Sequence, residues 1–134
     1  MRLVLDTHAL LYLVDDSLGI FSPEAKRAYE SANSVSISAV TLFDIGQLIR
    51  VGKLSMALSR FLEIERICTS VNISILATLP RVYATAATFA WDNRDPFDRI
   101  IMAVAMDTGA SLATKDRAIT AYADTNPDKL RVIW

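Results

Sequence analysis

With 134 residues, 52% hydrophobic, 22% charged, and only 4 Gly and 4 Pro, the chain has the composition of a folded domain. It excludes a disordered, collagen-like or low-complexity protein. Lys+Arg 14 against Asp+Glu 15 leaves a net charge of -1, so any grip on nucleic acid must come from a local patch. Cys68 is the only cysteine, which excludes an intramolecular disulfide and a cysteine-built zinc site. The length suits a single hydrophobic core, and residues 1–134 read as one domain. Leu3-Val4-Leu5 is interrupted by Asp6, too early for a signal-peptide core. The apolar run Ile100 to Met106 falls far short of the roughly 20 residues that span a bilayer. A cytoplasmic protein with no membrane partner is the expectation.

In chain order, Arg2 to Asp6 reads as a buried strand and His8 to Val14 as a helix. Ser22-Pro23-Glu24 opens a helix over Pro23 to Ser31, with serine as cap and proline at the first helical position. Val35 to Ser38 alternates as a second strand. Ala39 to Val51 is helical and stopped by Gly52; Met56 to Val71 is a further long helical run. Asn72 to Leu76 is a third strand, followed by a helix over Leu79 to Trp91. Asp95-Pro96-Phe97-Asp98 starts a helix that Gly109 ends. Ser111 to Ala113 is a short strand, Lys115 to Ala123 a helix, and Leu130 to Trp134 the last strand. Strands alternating with helices imply parallel pairing in an α/β sandwich.

Five carboxylates at four places along the chain stand out. Asp6 ends the first strand, where open parallel sheets bind ligands, and it also suits a helix cap. Asp44 shares an arc of the helical wheel with Val40, Leu48 and Val51, each within about 40° of it. An unpaired charge in an apolar arc costs several kcal/mol, roughly, so a cationic neighbour is expected there. Asp95 fits an N-cap, Pro96 the first turn, and Asp98 the third position, from which it can close a capping box. The helix behind them is apolar on every side and belongs to the core. Asp116 follows a strand as a first-turn acid, with Thr114 as the cap or as an orienter of a ligand.

Several carboxylates gathered at one sheet edge repel each other, at about 4 kcal/mol for each pair 4 Å apart in an effective dielectric of 20. A cluster of this kind persists if a divalent cation sits in it or if some acids stay protonated. Oxygen-only ligands select Mg²⁺ or Mn²⁺ over zinc, and the matching chemistry is hydrolysis of a phosphodiester.

Together these segments resemble the PIN-domain ribonucleases, and within them the VapC-type toxins of bacterial toxin–antitoxin pairs. The matching pieces are Leu5 to Leu11, Ser36 to Ile45, Val51-Gly52-Lys53-Leu54, Arg94 to Ala103, and Leu112 to Asp116. The resemblance implies a PIN-like three-layer α/β/α sandwich around a central five-stranded parallel sheet. It implies an acidic site for Mg²⁺ or Mn²⁺, with Asp6, Asp98 and Asp116 as core acids and Asp95 as an additional one. Asp44 stands where the family usually has glutamate, one methylene longer. Asp6, Asp44, Asp98 and Asp116 are thus the expected catalytic residues, and Asp6, Asp95, Asp98 and Asp116 the expected metal ligands.

Thr7 is expected to support the site by hydrogen bonding Asp6 or a ligand water, with Thr114 in a similar role. Arg94, Arg99, Lys115 and Arg117 border the acids and either hold RNA phosphates or neutralise neighbouring carboxylates. His8, the sole histidine, reads as a hydrogen-bonded packing residue among leucines. The function implied is a Mg²⁺/Mn²⁺-dependent endoribonuclease acting as a toxin, as a homodimer covered by a cognate antitoxin. Two alternatives stay open: a catalytically weak or inert PIN-fold binding module, and an aspartyl-phosphate receiver or phosphatase using Asp6. Receivers need an adjacent acidic pair after the first strand, which Thr7-His8 is not. The amphipathic run Leu58 to Ile67 either packs on the sheet, the favoured reading, or forms a protein-binding face.

Overall fold

A computed structural model describes residues 1–134 and contains five strands in one all-parallel sheet. The strands are β1 (Arg2–Leu5), β2 (Ser34–Ser38), β3 (Ile73–Leu76), β4 (Ser111–Ala113) and β5 (Arg131–Ile133). The helices are α1 (Thr7–Val14), α2 (Pro23–Ser31), α3 (Val40–Arg50), α4 (Leu58–Leu62), α5 (Ile64–Ser70), α6 (Pro80–Thr88), α7 (Pro96–Thr108) and α8 (Arg117–Thr125). The sheet order is β3-β2-β1-β4-β5, with Leu5 opposite Ile37 on one side and Ala113 on the other.

Alternation along β1 builds two cores. Leu3 and Leu5 face one way, onto Leu10 of α1, Ala25 and Ala28 of α2, and Ile64 and Cys68 of α5. Val4 faces the other way, onto Ile101, Met102 and Ala105 of α7, Val82 and Ala86 of α6, and Ile119 of α8. Residues one apart on a strand point to opposite faces, so a strand apolar at every position must be covered on both. The result is the expected three-layer sandwich. Order reverses between β1 and β4, because the chain leaves β3 at one edge and re-enters beside β1. The crevice above that switch point is where such sheets hold ligands.

Several expectations shift on the fold. The run from Met56 to Val71 is two short helices meeting at Glu63, not one. Ile64 and Cys68 are buried against the sheet while Leu58 and Leu62 stay 69% and 70% exposed. No single straight helix satisfies both. The favoured packing of this run therefore holds for α5, and in α4 for Phe61, which packs against the same core, but not for Leu58 and Leu62. The helix expected to reach Trp91 ends at Thr88, since the Arg99 guanidinium takes the carbonyls of Ala86 and Phe89. Gly109 ends α7 in the left-handed region at φ 63°, and Gly52 turns the chain after α3 at φ 77°. No helix is long and apolar enough to cross a membrane.

Candidate active site

Three of the acids are helix caps. Asp6 follows β1 and accepts the Ala9 N–H of α1 at 2.7 Å. Asp95 caps α7, accepting from the Phe97 N–H at 2.9 Å and the Asp98 N–H at 3.4 Å. Asp116 caps α8, accepting from the Ile119 N–H at 2.9 Å. Each carboxylate spends one oxygen on its helix, and Asp6 takes a further hydrogen bond from the Thr114 side chain. The positive end of the helix dipole lowers the cost of holding negative charge there. Asp98 sits one turn inside α7, and Asp44 reaches in from α3.

All five carboxylates line one cavity of about 470 Å³, together with Thr7, His8, Leu48, Lys115 and Arg117. Five acids therefore face two permanent cations. Desolvation, and after it the charges of Asp95, Asp116, Asp44 and Asp6, push the Asp98 carboxyl from 3.8 up to about 7. Burial also raises Asp6, against hydrogen bonds from the Thr114 side chain and the Ala9 N–H. Desolvation raises Asp44, a shift that its hydrogen bond with Thr7 opposes and the charge of Asp95 reinforces. Such strain is what a bound cation relieves. The carboxylates share the hollow without meeting at a point: no three acidic, histidine or cysteine side chains converge tightly enough to hold an ion outright. The donor set suits a hard divalent ion in its chemistry, all oxygen and in anionic excess.

Some of the predicted neighbours are elsewhere. Asp44 meets the Thr7 hydroxyl, which donates to Oδ2 at 2.6 Å, and no cation. It lies at the half-buried edge of α3, whose deep face is Thr41 and Ile45, so a hydroxyl and solvent suffice. Thr7 thus serves Asp44 and not Asp6. The capping box at α7 is absent, because the Asp95 N–H donates to Asn93 Oδ1 at 2.8 Å instead of to Asp98. Thr114 does not cap α8. Its buried hydroxyl accepts the Asp116 N–H at 3.1 Å and so fixes the cap itself.

The four basic residues divide. Lys115 and Arg117 line the cavity, the Lys115 ammonium lying 5.0 Å from the centre of the Tyr12 ring. Arg99 does not reach it. Its guanidinium donates to the carbonyls of Ala86, Phe89, Trp91 and Asn93 and lies 4.2 Å from the centre of the Phe89 ring. Four of the five N–H donors in its planar fork are committed to carbonyls, away from the cavity. Arg94 is exposed beside a separate hollow with Tyr83 and Pro96.

His8 is exposed at the acidic cavity and is not a packing residue. Helix phase was the available signal: α1 buries Ala9, Leu10 and Val14, whereas His8 shares a face with half-buried Tyr12 four residues on. Leu48, the one apolar lining residue, also escaped the reading of the sequence as a site residue.

The sequence profile of the PIN domain matches residues 3–124. The chain belongs to the PIN domain family. A PIN domain with this arrangement is similar to Ribonuclease VapC22 of Mycobacterium tuberculosis, 27% identical over 107 residues that cover 79% of this chain and 81% of the relative. Among solved structures, VapBC2 from Rickettsia felis, bound to a DNA fragment from its promoter, aligns with a TM-score of 0.60. Its identity to this chain is 13%, over 100% of both chains. VapC20 of Mycobacterium tuberculosis, a Sarcin-Ricin loop cleaving toxin, aligns with a TM-score of 0.57 and 18% identity, over 89% of this chain and 94% of that one. A toxin-antitoxin complex from Klebsiella pneumoniae has a TM-score of 0.55 and 18% identity, over 84% and 85%. At these identities the structural likeness speaks for the fold alone.

Proposed function

We propose that this PIN domain is a Mg²⁺- or Mn²⁺-dependent endoribonuclease and the toxin of a toxin–antitoxin pair. The observation that carries the reading is one cavity at the sheet's switch point lined by Asp6, Asp44, Asp95, Asp98 and Asp116. The likeness to a VapC ribonuclease gives the reaction class. Asp6, Asp98 and Asp116 would hold the cation, with Asp95 and Asp44 contributing directly or through water. When bound, a hard divalent ion makes a water more acidic and offsets charge gathering on a phosphodiester.

The chain's own residues prepare that chemistry. Helix caps fix Asp6, Asp95 and Asp116 on rigid elements, and Thr7 fixes the orientation of Asp44. Lys115 and Arg117 supply the positive side of the cavity, where RNA phosphates are held against the acids. No serine, cysteine or histidine nucleophile is required. Products ending in 5′-phosphate and 3′-hydroxyl follow from the family resemblance, as do a homodimer and an antitoxin that covers the acidic site. Toxin–antitoxin complexes among the structures of like fold support that partner.

The separation of the carboxylates favours a second reading, an inert PIN-fold module with weak metal affinity. Incubation of the purified protein with total cellular RNA separates the two. Cleavage is expected with Mg²⁺ or Mn²⁺, is stopped by chelator, and is lost in Asp6→Asn, which keeps the oxygen that caps α1. An unaltered RNA profile with either metal removes the nuclease reading and leaves the inert module.

A further inference from the structure

Beside the acidic cavity lies an aromatic pair that no part of the proposed chemistry uses. Phe43 of α3 and Phe97 of α7 pack with ring centroids 5.9 Å apart and planes tilted by 36°. Phe43 is 63% exposed although it is braced by its partner. Each aromatic immediately precedes a carboxylate of the cavity, Asp44 and Asp98. Consecutive Cα atoms are about 3.8 Å apart, so the pair sits next to the acids.

We propose that Phe43, braced by Phe97, is a stacking platform for an unpaired base of the RNA, next to the bond being cut; the proposal rests on the nuclease reading above. A ring held on one side and open on the other loses little freedom when a base covers it. Base–aromatic stacking also tolerates any sequence, because every base has a π-face. The surroundings favour RNA over an apolar protein segment. Single-stranded nucleic acid offers both a charged backbone and flat apolar faces. Here Lys115 and Arg117 supply cations to the cavity, while Phe43 and Phe97 supply an open ring beside it. A base inside a duplex is already stacked and cannot use the platform, so the pair selects looped or single-stranded RNA.

The test uses the full chain carrying Asp6→Asn, so that substrate survives, with a single-stranded oligoribonucleotide containing 2-aminopurine and a duplex of the same sequence. With Phe43 present, the fluorescence is quenched on binding. Phe43→Ala is expected to weaken single-strand binding about tenfold or more and to abolish the quenching. Phe43→Trp restores both, and duplex affinity is unchanged throughout. Circular dichroism melting checks that the variants fold. Equal single-strand affinity in Phe43→Ala, or the same loss on duplex, overturns the platform. So does a Phe43→Ala protein that binds RNA normally but loses its grip on a partner protein. If the wild-type chain cuts RNA and Phe43→Ala cuts it equally well, the platform falls while the nuclease stands. A wild-type chain that neither binds nor cuts RNA removes both.

Discussion

The N-termini of α7 and α8 both open on the acidic cavity behind an aspartate cap, yet the fold spends their charges in opposite ways. At α7 the basic residue is committed inward: Arg99 ties down four carbonyls between Ala86 and Asn93. Asn93 in turn receives the Asp95 N–H. At α8 the basic residues Lys115 and Arg117 are exposed and face the cavity. One helix terminus is locked by its cation and the other presents its cations. Adjacency to an acid in the sequence says nothing about which role a cation takes. The number of unsatisfied carbonyls within its reach does.

The largest effect should come from the lock. Arg99→Met leaves four carbonyls without their donor and should cost on the order of 3 kcal/mol. That corresponds to about 10 °C in Tm, read by thermal melting. Arg117→Met should leave Tm within about 1 °C, because exposed surface substitutions move stability little. Equal losses in the two variants would break the comparison.

The caps sharpen it next. Asp116→Ala should cost about 1 kcal/mol in melting experiments, by removing the α8 cap, and Asp116→Asn a few tenths, roughly, since the amide oxygen can still accept. Both should abolish Mg²⁺-dependent cleavage. Stability and activity therefore separate at one residue, and retained cleavage in Asp116→Asn would remove its role.

The pH dependence comes third. Desolvation first, and then the four neighbouring carboxylates, hold the Asp98 carboxyl at about 7 in the fold against 3.8 when exposed. The folded state thus binds this proton more tightly than the unfolded chain. The stability it contributes is complete below about 3.8 and is lost as pH rises through about 7. Without divalent ions, Tm should fall between pH 4 and pH 8, and Asp98→Asn should flatten the fall. After discounting for solvent screening, the variant should gain on the order of 1 kcal/mol at pH 8. Mn²⁺ should stabilise the wild type more at pH 8 than at pH 5, because it competes with that proton.

The smallest effect belongs to the presented cations. Lys115→Ala should weaken RNA binding across sequences and reduce the salt slope of log K by about one, measured by titration at several salt concentrations. Arg99→Lys should leave that slope unchanged.

Much of the architecture could be read before any coordinates. The Ser22-Pro23 and Asp95-Pro96 helix starts, the Gly52 and Gly109 stops, and the short strand Ser111–Ala113 stand where their local chemistry puts them. The acids Asp6, Asp44, Asp95, Asp98 and Asp116 could be picked out because each sits oddly for its element, and they do share a hollow. Their hydrogen-bond partners could not. Asn93 outcompetes Asp98 for the Asp95 N–H, and Thr7 turns to Asp44 instead of Asp6. These are contests between side chains that spacing along the chain does not decide.

What the sequence determined alone was therefore local and periodic: caps, stops, apolar stripes and the alternation that demands a sheet covered on both faces. These depend on a few successive residues. Only the tertiary structure decided that β1 lies between β2 and β4, that Arg99 is consumed by carbonyls, that His8 faces the cavity, and that Phe43 is braced by Phe97. Each of those outcomes depends on which distant group arrives first within hydrogen-bond or van der Waals range. That is settled when the layers pack, not when the helices form.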